Sequence, residues 1–140
     1  MSDKIKNKKL ILGWQQKAED DLAFAEKTLK ETEYYDHVCF LSQQAVEKYL
    51  KILVIINKGG LAKKERTHNL VYLAQFCKSH LDLNAFESHL RKLTNAYIPA
   101  RYPGNGYVRF SKKEAKECFE SAKEVVDFIK RKIDFSIYQE

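Results

Sequence analysis

Apolar residues recur every three or four positions along most of this chain, the spacing of one helical face, and no stretch alternates as a strand does. The most apolar stretch runs from Asp36 to Asn57. Val38, Leu41, Ala45, Val46, Tyr49, Leu50, Leu53, Val54 and Ile56 cover most of its circumference, which predicts a central helix packed on several sides. A narrow polar strip remains, made of Gln43, Gln44, Glu47, Lys48 and Lys51. Glu47 precedes Lys51 by four residues, the better order for a helical ion pair, and the plain reading of the strip is a solvated face.

Before it, Ile11, Trp14, Ala18, Leu22, Ala25 and Leu29 predict a helix over 10–31, and Asp36 is placed to cap the central one. After it, Gly59 and Gly60 predict a stop and the LAKKER segment a basic loop. Thr67 can cap a short helix carrying Leu70, Leu73, Ala74 and Cys77. A fourth helix, with Phe86, Leu90, Leu93 and Tyr97, begins near Asn84 and is expected to end at Pro99. The segment PARYPGNGYVRF, residues 99–110, is irregular, with Asn105-Gly106 favouring a tight turn. Ser111 and Glu114 then form a capping box for a fifth helix through Ala115, Cys118, Ala122, Val125, Ile129 and Ile133. The fold class is all-α. Residues 1–9 read as a basic amino-terminal tail, 10–134 as a single helical domain and 135–140 as a short carboxy-terminal tail.

Composition refines this picture in two places. The chain has 25 basic and 19 acidic residues, a net charge of +6, with Lys4, Lys6, Lys8 and Lys9 at the amino end. A solvated tail accounts for these lysines; attraction to nucleic acid or an acidic partner is the alternative. Cys39, Cys77 and Cys118 lie far apart in sequence at apolar positions, with no paired spacing for a disulfide framework or a zinc site. They read as core residues in a reducing compartment. No apolar run approaches the roughly 20 residues that span a bilayer, so a cytoplasmic protein without a membrane partner is expected.

His37, His68, His80 and His89 show no metal-ligand spacing, and no Gly-rich phosphate loop or nucleophile elbow occurs. No metal, cofactor or catalytic residue is assigned, and the reading leans away from an enzyme. What remains is a set of cations suited to an anion: Lys48 and Lys51 on the central helix, His68, and Arg101 and Arg109 in a loop with Tyr102 and Tyr107. Arginine donates two parallel hydrogen bonds to a phosphate, and a tyrosine ring can stack on a base.

Several of these residues fall in a pattern. Trp14, Ala18 and Asp21-Leu22 are followed by Ser42-Gln43-Gln44-Ala45-Val46-Glu47-Lys48-Tyr49-Leu50-Lys51, by Thr67-His68 with Leu70 and Leu73, and by Tyr97 and Arg101-Tyr102-Pro103. This pattern resembles the HEPN domain (higher eukaryotes and prokaryotes nucleotide-binding), over roughly residues 10–133. The resemblance implies an up-and-down bundle of four to five helices that forms homodimers. It also implies a minimal nucleotidyltransferase as partner, in a toxin–antitoxin-like arrangement. By motif, Gln44, Glu47, Lys48, Lys51, His68, Arg101 and Tyr102 become candidates for a nucleotide or phosphate site, joined by Arg109 from the loop. Gln44 and Glu47 serve equally well as bundle-fixing partners of the lysines.

One departure weighs against an alternative. HEPN proteins that cut RNA resemble one another in an arginine followed after four to six residues by a histidine, and no arginine of this chain has one there. A metal-independent ribonuclease is therefore the weaker reading, open only if Arg101 and His68 meet from separate helices. A purely structural dimer or partner interface is the third.

Overall fold

The computed structural model describes residues 3–104 and 109–139, with side chains from residue 7 onward. Five α-helices are present: α1 (Asp3–Glu31), α2 (Tyr35–Lys58), α3 (Leu70–Phe76), α4 (Glu87–Arg101) and α5 (Lys112–Lys132). No strand occurs among the described residues. α1, α2, α4 and α5 alternate in direction as an up-and-down bundle, and α3 sits in the α2–α4 connection.

The central role of α2 follows from its composition. It packs on α1, α3, α4 and α5, and Val38, Ala45, Val46, Tyr49, Leu50, Ile52, Leu53 and Val54 are wholly buried. Burying a Leu or Ile side chain contributes about 1.5–3 kcal/mol, so this helix supplies much of the apolar stabilisation. Gly59 ends it at φ 87°, a left-handed conformation that only glycine adopts freely, and its N–H bonds to Ile55 O at 2.7 Å. The Ser111–Glu114 capping box opens α5 as its spacing predicts, with the two reciprocal bonds at 3.1 and 2.9 Å.

Several local expectations give way to tertiary contacts. α1 begins at Asp3 rather than Leu10. Asp36 lies inside the first turn of α2, and its Oδ1 accepts the Phe110 N–H at 2.8 Å, tying the start of α5 to the start of α2. Asn69, not Thr67, caps α3, because its side chain reaches the Tyr72 N–H at 3.1 Å while Thr67 Oγ1 takes the Asn69 N–H. α4 continues through Pro99 to Arg101. Pro99 gives up one backbone bond on an exposed side of the helix, and the Tyr102 N–H still closes the last turn on Ile98 O at 2.9 Å. The Asn105-Gly106 turn and Tyr107 lie outside the described residues.

The cysteines are buried, as their apolar positions predict, but two of them meet. Cys39 on α2 and Cys118 on α5 interact: the Cys118 thiol and burial push the Cys39 thiol up, while Cys39 holds the Cys118 thiol down against the opposing effect of burial. Burial pushes Cys77 up to about 11.

In the LAKKER segment, Lys63–Glu65 forms a single 3-10 turn, and Glu65 is fully enclosed rather than solvated. Its carboxylate accepts from Lys58 and from the Ala62 N–H. The Lys58 hydrogen bond first, and its charge and that backbone N–H with it, hold the Glu65 carboxyl below its ordinary 4.5. A carboxyl depressed in the folded state stabilises the fold above its unfolded pKa and loses that contribution as pH falls through the folded one. Acid titration of the unfolding free energy should therefore fall more steeply below pH 4.5 in the unmutated protein than in Glu65→Gln. Identical slopes would remove Glu65 as a source of acid sensitivity.

Candidate functional site

The polar strip of α2 is not a solvated face. Gln43 is fully buried, Glu47 is 4% exposed and Lys51 8%. Three elements close over it: α1, the segment leading into α3, and α4. A buried charge is tolerated only when paired and hydrogen-bonded, and Glu47 meets that condition on both oxygens. Its Oε1 accepts from Gln43 Nε2 at 3.1 Å and from His68 Nδ1 at 2.7 Å, and its Oε2 accepts from Lys51 Nζ at 3.0 Å. Gln43 also donates to His68 O at 2.9 Å, so one amide fixes both the carboxylate and the histidine's backbone. Gln44 supports it in turn, donating to Gln43 Oε1 at 2.7 Å.

His68 is thereby oriented. A carboxylate only accepts hydrogen bonds, so Nδ1 carries the hydrogen facing Glu47, and Nε2 is the second ring nitrogen of a side chain that is 54% exposed. The imidazole stacks on Tyr97 of α4, with ring centroids 4.5 Å apart at 21°. Tyr97 is buried, and Arg101, one helical turn later, donates from Nη1 to its hydroxyl at 3.2 Å. The Arg101 guanidinium also lies over Phe40 at 5.2 Å and Tyr102 at 5.5 Å. An arginine and a histidine from separate parts of the chain thus flank one tyrosine.

Arg101 also lines a cleft of about 520 Å³ at the end of the bundle where α1 passes into α2 and α4 leaves for α5. Arg109, Tyr34, His37 and Tyr102 border it as well, as do Glu33 and Asp36. Tyr34 is 62% exposed and Tyr102 52%, so their rings are available for stacking.

The family model for the HEPN domain matches residues 11–132, nearly the whole bundle. The chain belongs to the HEPN domain family. A curated relative in Methanocaldococcus jannaschii, named "Putative toxin MJ1304", is 30% identical over 139 residues, covering 90% of this chain and 88% of that protein. The crystal structure of TT1696 from Thermus thermophilus superposes with a TM-score of 0.75 at 25% identity, covering 88% of this chain and 98% of that one. ST0689, an archaeal HEPN homologue of known structure, gives 0.68 at 28% identity, covering 89% and 98%.

Within this HEPN fold the candidate residues divide into groups. Glu47, Lys51 and His68 converge directly, Gln44 acts one bond behind them, and Arg101 joins through Tyr97. Tyr102 and Arg109 stand at the cleft with Arg101. Lys48 does not join either group: it turns to α1 and pairs with Asp21. Gln43, Tyr97 and Phe40 do join and are not among the candidate residues read from the sequence. The signal for two of them was spacing: Gln43 stands four residues before Glu47, and Tyr97 four before Arg101. Among the described residues no cluster of three or more His, Cys, Asp and Glu side chains suits a metal, and no helix is long and apolar enough to cross a membrane.

Proposed function

We propose that this HEPN protein is a nucleotide- or phosphate-binding module of toxin–antitoxin type, homodimeric and acting with a minimal nucleotidyltransferase. The observation that carries the ligand half is the presence of Arg101 and Arg109 on one cleft with Tyr34 and Tyr102. Two guanidinium groups suit a phosphate chain, and exposed tyrosines suit a base. The toxin-type reading rests on the similarity to the M. jannaschii protein so named, and the transferase half on the family. Phe24 on α1 and Ile98 on α4, 61% and 59% accessible, are exposed apolar side chains of the kind that a second copy or partner would cover.

A thermal-shift screen of the full chain against nucleotides tests the ligand half, because a ligand that binds only the folded state raises Tm. A shift that is lost in Arg109→Ala is the expected result. A flat screen on well-folded protein would leave the cleft as an interface only. Co-purification with a nucleotidyltransferase, and light scattering for the dimer, test the rest.

A second reading has its own support in the stack of His68, Tyr97 and Arg101. Glu47 holds His68 by Nδ1 as an orienting carboxylate holds a general acid or base, and Arg101 is a cation suited to the charge that builds on a scissile phosphate. RNA incubated with pure protein and a chelator should then be cut, and His68→Ala should stop it. Intact RNA, or equal cutting by the variant, eliminates this chemistry.

A further inference from the structure

The net charge of this chain is concentrated in two segments of its sequence. Residues 3–9 and 57–66 hold eight of the 25 basic residues and two of the 19 acidic ones, while the rest of the chain balances at 17 of each. The two segments meet in space, with Asn7 Nδ2 donating to Gly59 O at 3.4 Å where the start of α1 packs on the end of α2. Glu65, one of the two acids, is enclosed and paired with Lys58, which leaves Lys63, Lys64 and Arg66 exposed. Concentrating like charge costs the fold self-repulsion, and solubility alone would be served as well by spreading it.

Aromatic rings sit among these cations. The Lys58 and Lys64 ammonium groups each lie 5.2 Å from the Phe76 ring centroid. Tyr72, 40% exposed, meets Phe76 edge-on at 4.9 Å. Cations beside an accessible ring are the elements of a single-strand platform, in which ammonium groups track phosphates and rings stack on bases. An acidic peptide would use the charges but not the rings. The pole is separate from the Arg101 cleft, which lies about 36 Å away along the 24 residues of α2 at 1.5 Å each.

We propose that this pole binds the phosphodiester backbone of single-stranded nucleic acid without regard to sequence, independently of the nucleotide cleft. Fluorescence anisotropy of a labelled oligouridylate over a potassium chloride series tests it. Each phosphate contact contributes a slope of about −0.7 in the logarithm of affinity against that of salt. Combining Lys63→Gln, Lys64→Gln and Arg66→Gln should make the slope shallower by about 2 and weaken binding at low salt by tenfold or more. Thermal unfolding should show the variant still folded, and Lys116→Gln combined with Lys123→Gln, two exposed lysines of α5 that belong to neither site, should bind the oligonucleotide nearly as the unmutated protein does. Four results would overturn the proposal: no binding by the unmutated chain, equal binding by the triple variant, an equal loss of binding in the α5 lysine variant, or displacement by polyglutamate as effective as by unlabelled polyuridylate. The last would assign the pole to an acidic protein instead.

Discussion

Glu47→Ala is expected to destabilise the protein by about 3–5 kcal/mol, the cost of removing one partner from a buried ion pair. The carboxylate is the single acceptor that Gln43, Lys51 and His68 share. Without it the Lys51 ammonium, on a side chain that is 10% exposed, loses its carboxylate partner and keeps the Trp14 ring at 5.8 Å. The Gln43 Nε2 donor retains only His68 O. A fall in Tm on the order of 10 °C follows for a domain of this size. Lys51→Met in the same chain should recover part of it, because an apolar side chain of similar length removes the unpaired charge. A Glu47→Ala protein melting within a degree or two of the unmutated one would mean that water already reaches the strip.

Arg101→Ala should act in the opposite way, sparing stability and removing ligand affinity. Its guanidinium lies over Phe40 and Tyr102 on a largely exposed residue, contacts that contribute about 0.5–1 kcal/mol at such sites. Truncating one partner of a charge-assisted contact to a bound phosphate costs about 2–5 kcal/mol, which is 30-fold or more in Kd. Calorimetry with whichever nucleotide the thermal screen identifies checks this. Unchanged affinity would separate Arg101 from the cleft's chemistry and return it to the Tyr97 hydroxyl as a packing residue. Because Arg101 touches both the cleft and the His68–Tyr97 stack, the same variant also reports on RNA cleavage, where His68→Ala provides the comparison.

The sequence was most legible where a feature acts over a few residues. The Gly59 stop and the Ser111–Glu114 box depend on backbone groups within one turn, and both stand in the fold as the spacing predicts. The centrality of α2 was legible for a related reason, since apolar residues on nearly every side of one helix leave it nowhere to sit but inside. The family resemblance was carried by the α2 strip and the Arg-Tyr-Pro element, and the HEPN match over 11–132 agrees with it.

Pro99 shows where local reasoning stops. Proline's penalty is a local quantity, but α4 has Leu90, Leu93, Ala96, Tyr97 and Ala100 buried along one face, and that packing carries the helix past it. The extra turn brings Arg101 to the Tyr97 hydroxyl, so the sharing of Tyr97 by Arg101 and His68, absent from linear spacing, arises from a helix that was expected to end earlier. Cys39 and Cys118 are a parallel case, ordinary core residues in sequence whose thiols interact in space.

The sequence by itself determined five helices, their periodic faces and the family, because helical periodicity and capping are settled by residues three and four apart. The tertiary structure decided which polar residues meet. Glu47 and Lys51 are a buried pair with His68 on the same carboxylate rather than a solvated pair, while Lys48, one position on from Glu47, pairs with Asp21 of α1. Those outcomes depend on side chains 21 and 27 positions away, and desolvation and ion pairing exist only once the intervening chain has packed.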